Sequence, residues 1–278
     1  MRPLFSLLLA GSLCLPVLAR AAEPKGAELE YRVYVGGVAA ARYFIRYTAT
    51  DLRSEIALTA QSEGFVDWLI GWRSSQYAEA EVDPLSPTLV QRVSFRSTGV
   101  FRSQTRTAEV TTYPNRPAEW RIDPPEDPEP RTPIILEQTA GTLDPLTGTF
   151  LSLRQVADAA TCPSQIPLFD GRRRFDVVFE PPQAQVLPVS TYTIFSGPTL
   201  VCRFTMKRLG GYIIRENDWN KPEDRDKPIT LHLGTVLPGL PRLPVRVESE
   251  LTVGSVVAHL VAARPASGVT RMAALPPK

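Results

Sequence analysis

A β-rich α+β fold is what this sequence predicts: one strongly curved antiparallel sheet, or a partly closed barrel, carrying one or two short helices. Three observations point to it. Apolar and polar residues alternate through most of the chain, the period of a half-buried strand. Glycine pairs and an Asp-Gly step fall between these runs, where hairpins need them. Proline accounts for 27 of 278 residues, about twice its usual share, which suits turns and disfavours long helices.

The first hairpin reads most clearly. Leu29, Tyr31, Val33 and Val35 alternate with Glu28, Glu30, Arg32 and Tyr34. Gly36-Gly37 follows, a pair that accepts the positive φ of a tight turn. Tyr43, Ile45 and Tyr47 then alternate with Arg42 and Arg46. Further strands are expected at 54–61, 76–82, 88–96, 101–111 and 119–122, giving a meander. A second set is expected at 174–180, 191–195, 200–207, 212–215, 229–236, 245–251 and 256–262, with Gly210-Gly211 as another hairpin signal.

Two helical islands interrupt this period. Phe65, Trp68, Leu69 and Trp72 fall at i, i+3, i+4 and i+7, one face of a short helix. A surface helix ordinarily buries such a stripe in the core; the functional alternative is an apolar ligand face against the concave side of the sheet. The second island has Asp144 as N-cap and Pro145 at the first helical position, and runs through Phe150, Leu153 and Ala157. Between the meander and this helix, five prolines within residues 124–133 make an extended linker.

The first residues carry a targeting pattern. Arg2 precedes an almost unbroken apolar run from Leu4 to Leu18, and Ala19 and Ala21 supply the small residues of a cleavage site. Residues 1–21 are therefore expected to be a signal peptide cleaved near Ala21. Leu13 before Cys14 is not the small residue that a lipid-modified cysteine requires. After cleavage, no remaining run is apolar enough to cross a membrane as a helix. Residues 22–263 are expected to form a single domain, and residues 264–278, rich in Pro, Ala and Ser, a disordered tail.

Losing Arg2 and Arg20 with the leader lowers Lys plus Arg from 31 to 29, equal to the 29 Asp plus Glu. A neutral chain with no basic stripe argues against nucleic acid as a partner. Two cysteines remain, Cys162 and Cys202, and in an oxidising compartment a disulfide is the economical reading. Closing a loop of about 40 residues would stabilise the fold by up to about 4 kcal/mol. A metal site is disfavoured, because no Cys-x-x-Cys exists and His232 and His259 stand alone in apolar runs.

Motifs that carry chemistry are missing from the sequence: no nucleophile elbow, no metalloprotease helix, no phosphate loop and no dinucleotide fingerprint. Neither a catalytic residue nor a cofactor is assigned. Arg172 and Arg174, placed on one face of a strand entering from the Asp170-Gly171 turn, are candidate anion contacts; ion pairing with Asp170 and Asp176 is the simpler account. Asp218, Glu223, Asp224 and Asp226 cluster beside Trp219, but Lys221, Arg225 and Lys227 neutralise most of their charge, which reads as a solvated turn.

Glu30-Tyr31, Gly36-Gly37, the helix from Asp144 to Arg154, Phe169-Asp170-Gly171-Arg172, Gly210-Gly211 and Leu243-Pro244-Val245-Arg246 occur in that order. Together they resemble an uncharacterised family of exported bacterial proteins, the one catalogued as domain of unknown function 3108. The likeness spans about residues 27 to 263. It implies a periplasmic β-rich domain and brings no enzymatic role. The expected function is a non-enzymatic envelope protein, a structural or integrity factor with a hydrophobic ligand, a lipid or an envelope protein as partner. The alternative is an envelope hydrolase acting through carboxylates that the sequence does not single out.

Overall fold

The structure, a computed structural model, describes residues 25–83, 86–125, 129–214, 227–251, 254–266 and 268. The expected leader, most of the acidic loop with Trp219, part of the proline-rich linker and most of the expected tail lie outside the described residues.

Strands β1 (Lys25–Val35), β2 (Val38–Ala49) and β3 (Arg53–Ser62) open a meander. After helix α1 (Gly64–Ile70) it continues through β4 (Arg73–Asp83), β5 (Ser86–Phe101), β6 (Gln104–Thr112) and β7 (Glu119–Asp123). A 3₁₀ turn at Leu136–Thr139 and helix α2 (Pro145–Ala159) precede β8 (Gln165–Phe169), β9 (Arg174–Phe179) and β10 (Gln183–Leu187). The chain then forms β11 (Gly197–Gly210), β12 (Ile229–Gly234), β13 (Leu243–Leu251) and β14 (Gly254–Ala266).

All fourteen strands join one antiparallel sheet in the order β7-β6-β5-β4-β3-β2-β1-β14-β13-β12-β11-β9-β8. Strand β10 shares an edge of β11 with β9, since β11 pairs with β12 on its other side. The β1–β14 ladder, from Gly26↔Ala266 to Val35↔Val256, welds the two halves of the chain together.

Alternation decides which face is which. Ala27, Leu29 and Tyr31 of β1 are buried, while Glu28, Glu30 and Arg32 between them pair with Arg46, Arg42 and Glu63 on the opposite face. Gly36 and Gly37 take φ of 56° and 84°, so Val35 pairs directly with Val38 across a two-residue turn.

The concave face is covered by α2, whose side chains reach separate core clusters. Phe150 packs among Leu29, Tyr31, Ile56, Val245 and Leu260, its ring 4.7 Å from that of Tyr47. Leu146 lies between that cluster and a second one around Phe95, Val110 and Phe169. Leu153 packs on Cys162, Cys202 and Leu233. The expected cap is present, with Asp144 Oδ1 accepting from the Leu146 and Thr147 N–H groups at 2.8 and 3.1 Å. Cys162 and Cys202 form a disulfide with Cα atoms 5.8 Å apart, tying the chain after α2 to β11.

The sheet does not close through its ladders: β7 and β8 remain its two ends. Residues between them fill the gap. Gly141 N–H donates to Tyr113 O at 2.9 Å, and Leu143, bridged to Leu168, donates to Pro167 O at 3.0 Å and accepts from Phe169 N–H at 2.8 Å in β8. Trp120 of β7 meets Phe169 of β8 edge to face at 5.1 Å. The Arg172 guanidinium, in the β8–β9 turn, donates to the Thr107, Asp123 and Pro124 carbonyls at 3.3, 2.8 and 3.2 Å.

Several sequence expectations are corrected. Residues 191–195 form no strand, because both edges of β14 are already taken by β1 and β13; they cross β14 instead, Thr193 Oγ1 and Ile194 N–H donating to Leu260 O. Gly210-Gly211 makes no hairpin. It permits close approach, since a Cβ on Gly211 would lie 1.8 Å from Arg172 O, and Ile213 makes a single bridge with Arg131 of the linker. The β5–β6 turn falls at Arg102 and Ser103, with φ of 47° and 67°, rather than before Phe101. Strand β8 was hidden by Pro167, which an edge strand tolerates, and β10 by an almost fully exposed sequence. Strand β14 runs to Ala266, so residues 264–266 belong to the fold and not to the tail.

Intact-mass analysis of the purified protein alkylated without reduction is expected to find Cys162 and Cys202 unlabelled, and both labelled after reduction. Phe150→Ala is expected to lower the unfolding free energy by about 3–5 kcal/mol in urea titration, because it opens a cavity where α2 meets β1, β2 and β14.

Candidate functional site

The starts of β4, β6 and β9 and the ends of β5 and β11 meet at one mouth of the concavity, beside the β8–β9 turn. That turn is built locally: Asp170 Oδ1 accepts from the Arg172 and Arg173 N–H groups at 2.9 and 2.7 Å, and Asp170 Oδ2 holds the Arg173 guanidinium at 2.8 Å.

Within the mouth lies a cavity of about 690 Å³. Arg106, Arg131, Arg172, Arg173 and Arg208 line it, and Asp170 is the one acidic residue among the described lining residues. Phe95, Phe175 and Met206 supply apolar lining, and Ser74, Gln76 and Ser97 of the β4–β5 pair supply uncharged polar lining. Arg131 Nη1 donates to Gly211 O at 2.6 Å, and the Arg208 guanidinium lies 5.0 Å from the Tyr212 ring centre. Burial pushes the Tyr212 hydroxyl up, against the opposing charges of Arg173 and Arg208. Guanidiniums stay charged at any physiological pH, so this cavity carries a standing positive potential that an anion would neutralise.

The candidate anion contacts part company here. Arg172 lines the mouth, whereas Arg174 is buried and bonds to Gln138 O at 2.7 Å, Phe175 O at 2.7 Å and Asp176 Oδ1 at 2.5 Å. They do not share a strand face, because Arg172 stays in the turn and β9 begins at Arg174. Sequence reading missed Arg106, Arg131 and Arg208. Each occupies an ordinary polar position of a strand or the linker, and only the curl of the sheet brings them to Arg172 and Arg173.

The aromatic helix face is also divided. Helix α1 ends at Ile70 and buries none of its residues. Phe65, Trp68 and Leu69 are 67%, 79% and 54% exposed and join none of the clusters on the concave side, so these three are neither core nor, as the ligand-face reading expected, laid against that side. Trp72 lies beyond the helix and turns onto Tyr43 at 5.9 Å between ring centres, next to the main core cluster.

The two histidines line the opposite face of the sheet from α2. His232 is buried, its Nε2 3.0 Å from Glu248 Oε1, and Arg246 Nη2 binds Glu248 Oε2 at 2.6 Å. Burial raises the Glu248 pKa, but the hydrogen bond from His232 and the Arg246 charge outweigh it and leave the carboxyl below its usual range. His259 stacks on Tyr192 at 5.8 Å; burial, then the Arg246 charge, holds its pKa down.

A buried carboxylate stands behind the mouth. Asp144 Oδ2 has no hydrogen-bond partner, and burial pushes the carboxyl up to about 6 despite hydrogen bonds from Thr147 and Leu146. The adjacent Pro145 lines the cavity.

A family model described as "Protein of unknown function (DUF3108)" matches residues 30–261. No curated protein matches the chain. A crystal structure described as a beta-barrel-like protein of domain of unknown function DUF1849 from Brucella abortus is 11% identical. It covers 88% of this chain and 99% of its own, with a TM-score of 0.47.

Asp144 supplies a pH test of this region. Its folded pKa lies above that of an unfolded aspartate, so its contribution is present below about pH 4 and is lost as the pH rises through about 6. Asp144→Asn keeps the cap and is expected to gain about 2–3 kcal/mol relative to the parent between pH 4 and pH 7, read from urea midpoints at the two pH values. Glu28, Asp67 and Glu248, whose pKa values are lowered, act in the opposite direction in both proteins and cancel in the comparison.

Proposed function

The chain belongs to the DUF3108 family, whose function is unknown, and from that premise we propose that it is a non-enzymatic bacterial envelope protein, exported to the periplasm, that binds an amphipathic anion at the mouth of its curved sheet. The observation that carries this reading is the set of five arginines facing one carboxylate around a cavity with apolar lining. Its volume suits a small ligand, for which sites usually measure about 300–1,000 Å³. Phe95, Phe175 and Met206 would take the apolar part, and Arg208 the anionic head. Such a ligand is chemically lipid-like, in keeping with a role in envelope integrity.

Export is supported by the leader-like start of the sequence and by the Cys162–Cys202 disulfide, a bond favoured in oxidising compartments. Hydrolysis by paired carboxylates would need two of them facing one cleft in a fixed geometry. Asp170 is engaged by Arg173 and the turn amides, and Asp144 by the α2 cap, which favours binding over that alternative.

Titration calorimetry with dodecyl phosphate and with dodecanol tests the proposal. Dodecyl phosphate is expected to bind, dodecanol to bind more weakly, and Arg208→Gln to weaken the phosphate alone by about tenfold or more. Raised salt is expected to weaken it as well. Equal affinity for phosphate and alcohol, or no binding of either, would overturn the reading.

A further inference from the structure

Of the large apolar residues of helix α1, Val66 and Ile70 are half-buried while Phe65, Trp68 and Leu69 are exposed. Its polar side faces the protein: Glu63, at the N-cap, receives Arg32 at 2.7 Å and Arg42 at 3.2 Å, and Asp67 receives Arg73 at 3.1 Å and Ser62 Oγ at 2.7 Å. The three exposed apolar residues face out, with Phe65 and Trp68 rings 5.5 Å apart and Leu69 beside them. An ordinary surface helix buries such residues.

We propose that α1 seats the protein on the surface of a lipid bilayer, with Phe65, Trp68 and Leu69 entering the interface. Two observations select a bilayer over a protein partner. Taking the usual area of these side chains, the three exposures amount to on the order of 400 Å², about half of what each partner contributes to a stable protein interface. Trp and Phe are also the side chains that sit best at the headgroup boundary. The second observation is charge. Each described carboxylate at the tip is matched by an arginine, and the neighbouring β5–β6 turn adds exposed Phe101 with the Arg102 guanidinium 5.4 Å from its ring centre. The tip therefore offers no unpaired carboxylate to an anionic headgroup layer.

Placement adds meaning. Helix α1 leads into β4, whose Ser74 and Gln76 line the arginine-rich cavity, so a docked tip brings that mouth to the bilayer. The docking inference stands on α1 alone and survives if the cavity binds nothing.

Co-sedimentation with vesicles of phosphatidylethanolamine and phosphatidylglycerol in equal parts decides it, using the full mature chain. Binding is expected for the parent, and the double variant Trp68→Ser, Leu69→Ser is expected to lose it by about tenfold or more with an unchanged melting temperature, since both side chains are exposed. Failure of the parent to bind vesicles overturns the proposal. So does undiminished binding by the double variant, or a dimer in sedimentation velocity that the double variant abolishes, which would make a second copy the occupant.

Discussion

The apolar concave face of a fourteen-stranded sheet is the constraint on which this structure depends. A sheet curled this far without closing would leave that face wet, and α2 is what covers it. Leu146, Phe150 and Leu153 enter different clusters of the same concavity, the buried Phe150 and Leu153 each contributing about 1.5–3 kcal/mol. The helix therefore sets how tightly the sheet curls. Its own start is fixed by Asp144, a carboxyl held in an apolar site because its Oδ1 satisfies two amides of the first turn, and its far end is fixed to β11 through the disulfide.

The same economy explains the seam. With β7 and β8 unpaired to each other, the gap is spanned by groups that need no ladder: the Trp120–Phe169 contact, the chain before α2, and one guanidinium reaching three carbonyls. These bonds are part-buried to exposed, and a single long donor serves three carbonyls at once. Because Arg172 is used in this way, the mouth beside the seam gathers positive charge for a structural reason as well as for any ligand. Arg131, bonded to Gly211 O, is another arginine with this double position.

The two helices invert each other's logic. Helix α2 buries its apolar side in the concavity, and α1 anchors its polar side by ion pairs and leaves three large apolar residues outside. Paired carboxylates, together with half-buried Val66 and Ile70, hold α1 in place, so helical periodicity alone could not say which way Phe65, Trp68 and Leu69 would point. Periodicity reports that residues share a face; it does not report what the face meets.

By itself the sequence determined what depends on neighbours a few residues apart. The period of two in β1 and β2, the Gly36-Gly37 turn, the cap and proline at the start of α2 and the Asp170-Gly171 turn are all local chemistry, and each is present. The pairing of Cys162 with Cys202 was legible for a simpler reason, that Cys14, within the expected leader, is the one other cysteine in the sequence. Only the tertiary structure decided the rest. Strand β10 carries no alternation, because its neighbour β11 is all that defines it, and residues 191–195 carry a strand-like pattern with no free edge to join. Arg106, Arg131 and Arg208 look like any polar residue on an exposed position; they become a site because the sheet curls until segments tens of residues apart face one cavity. That convergence is a property of the curl, and the curl is set by how α2 packs.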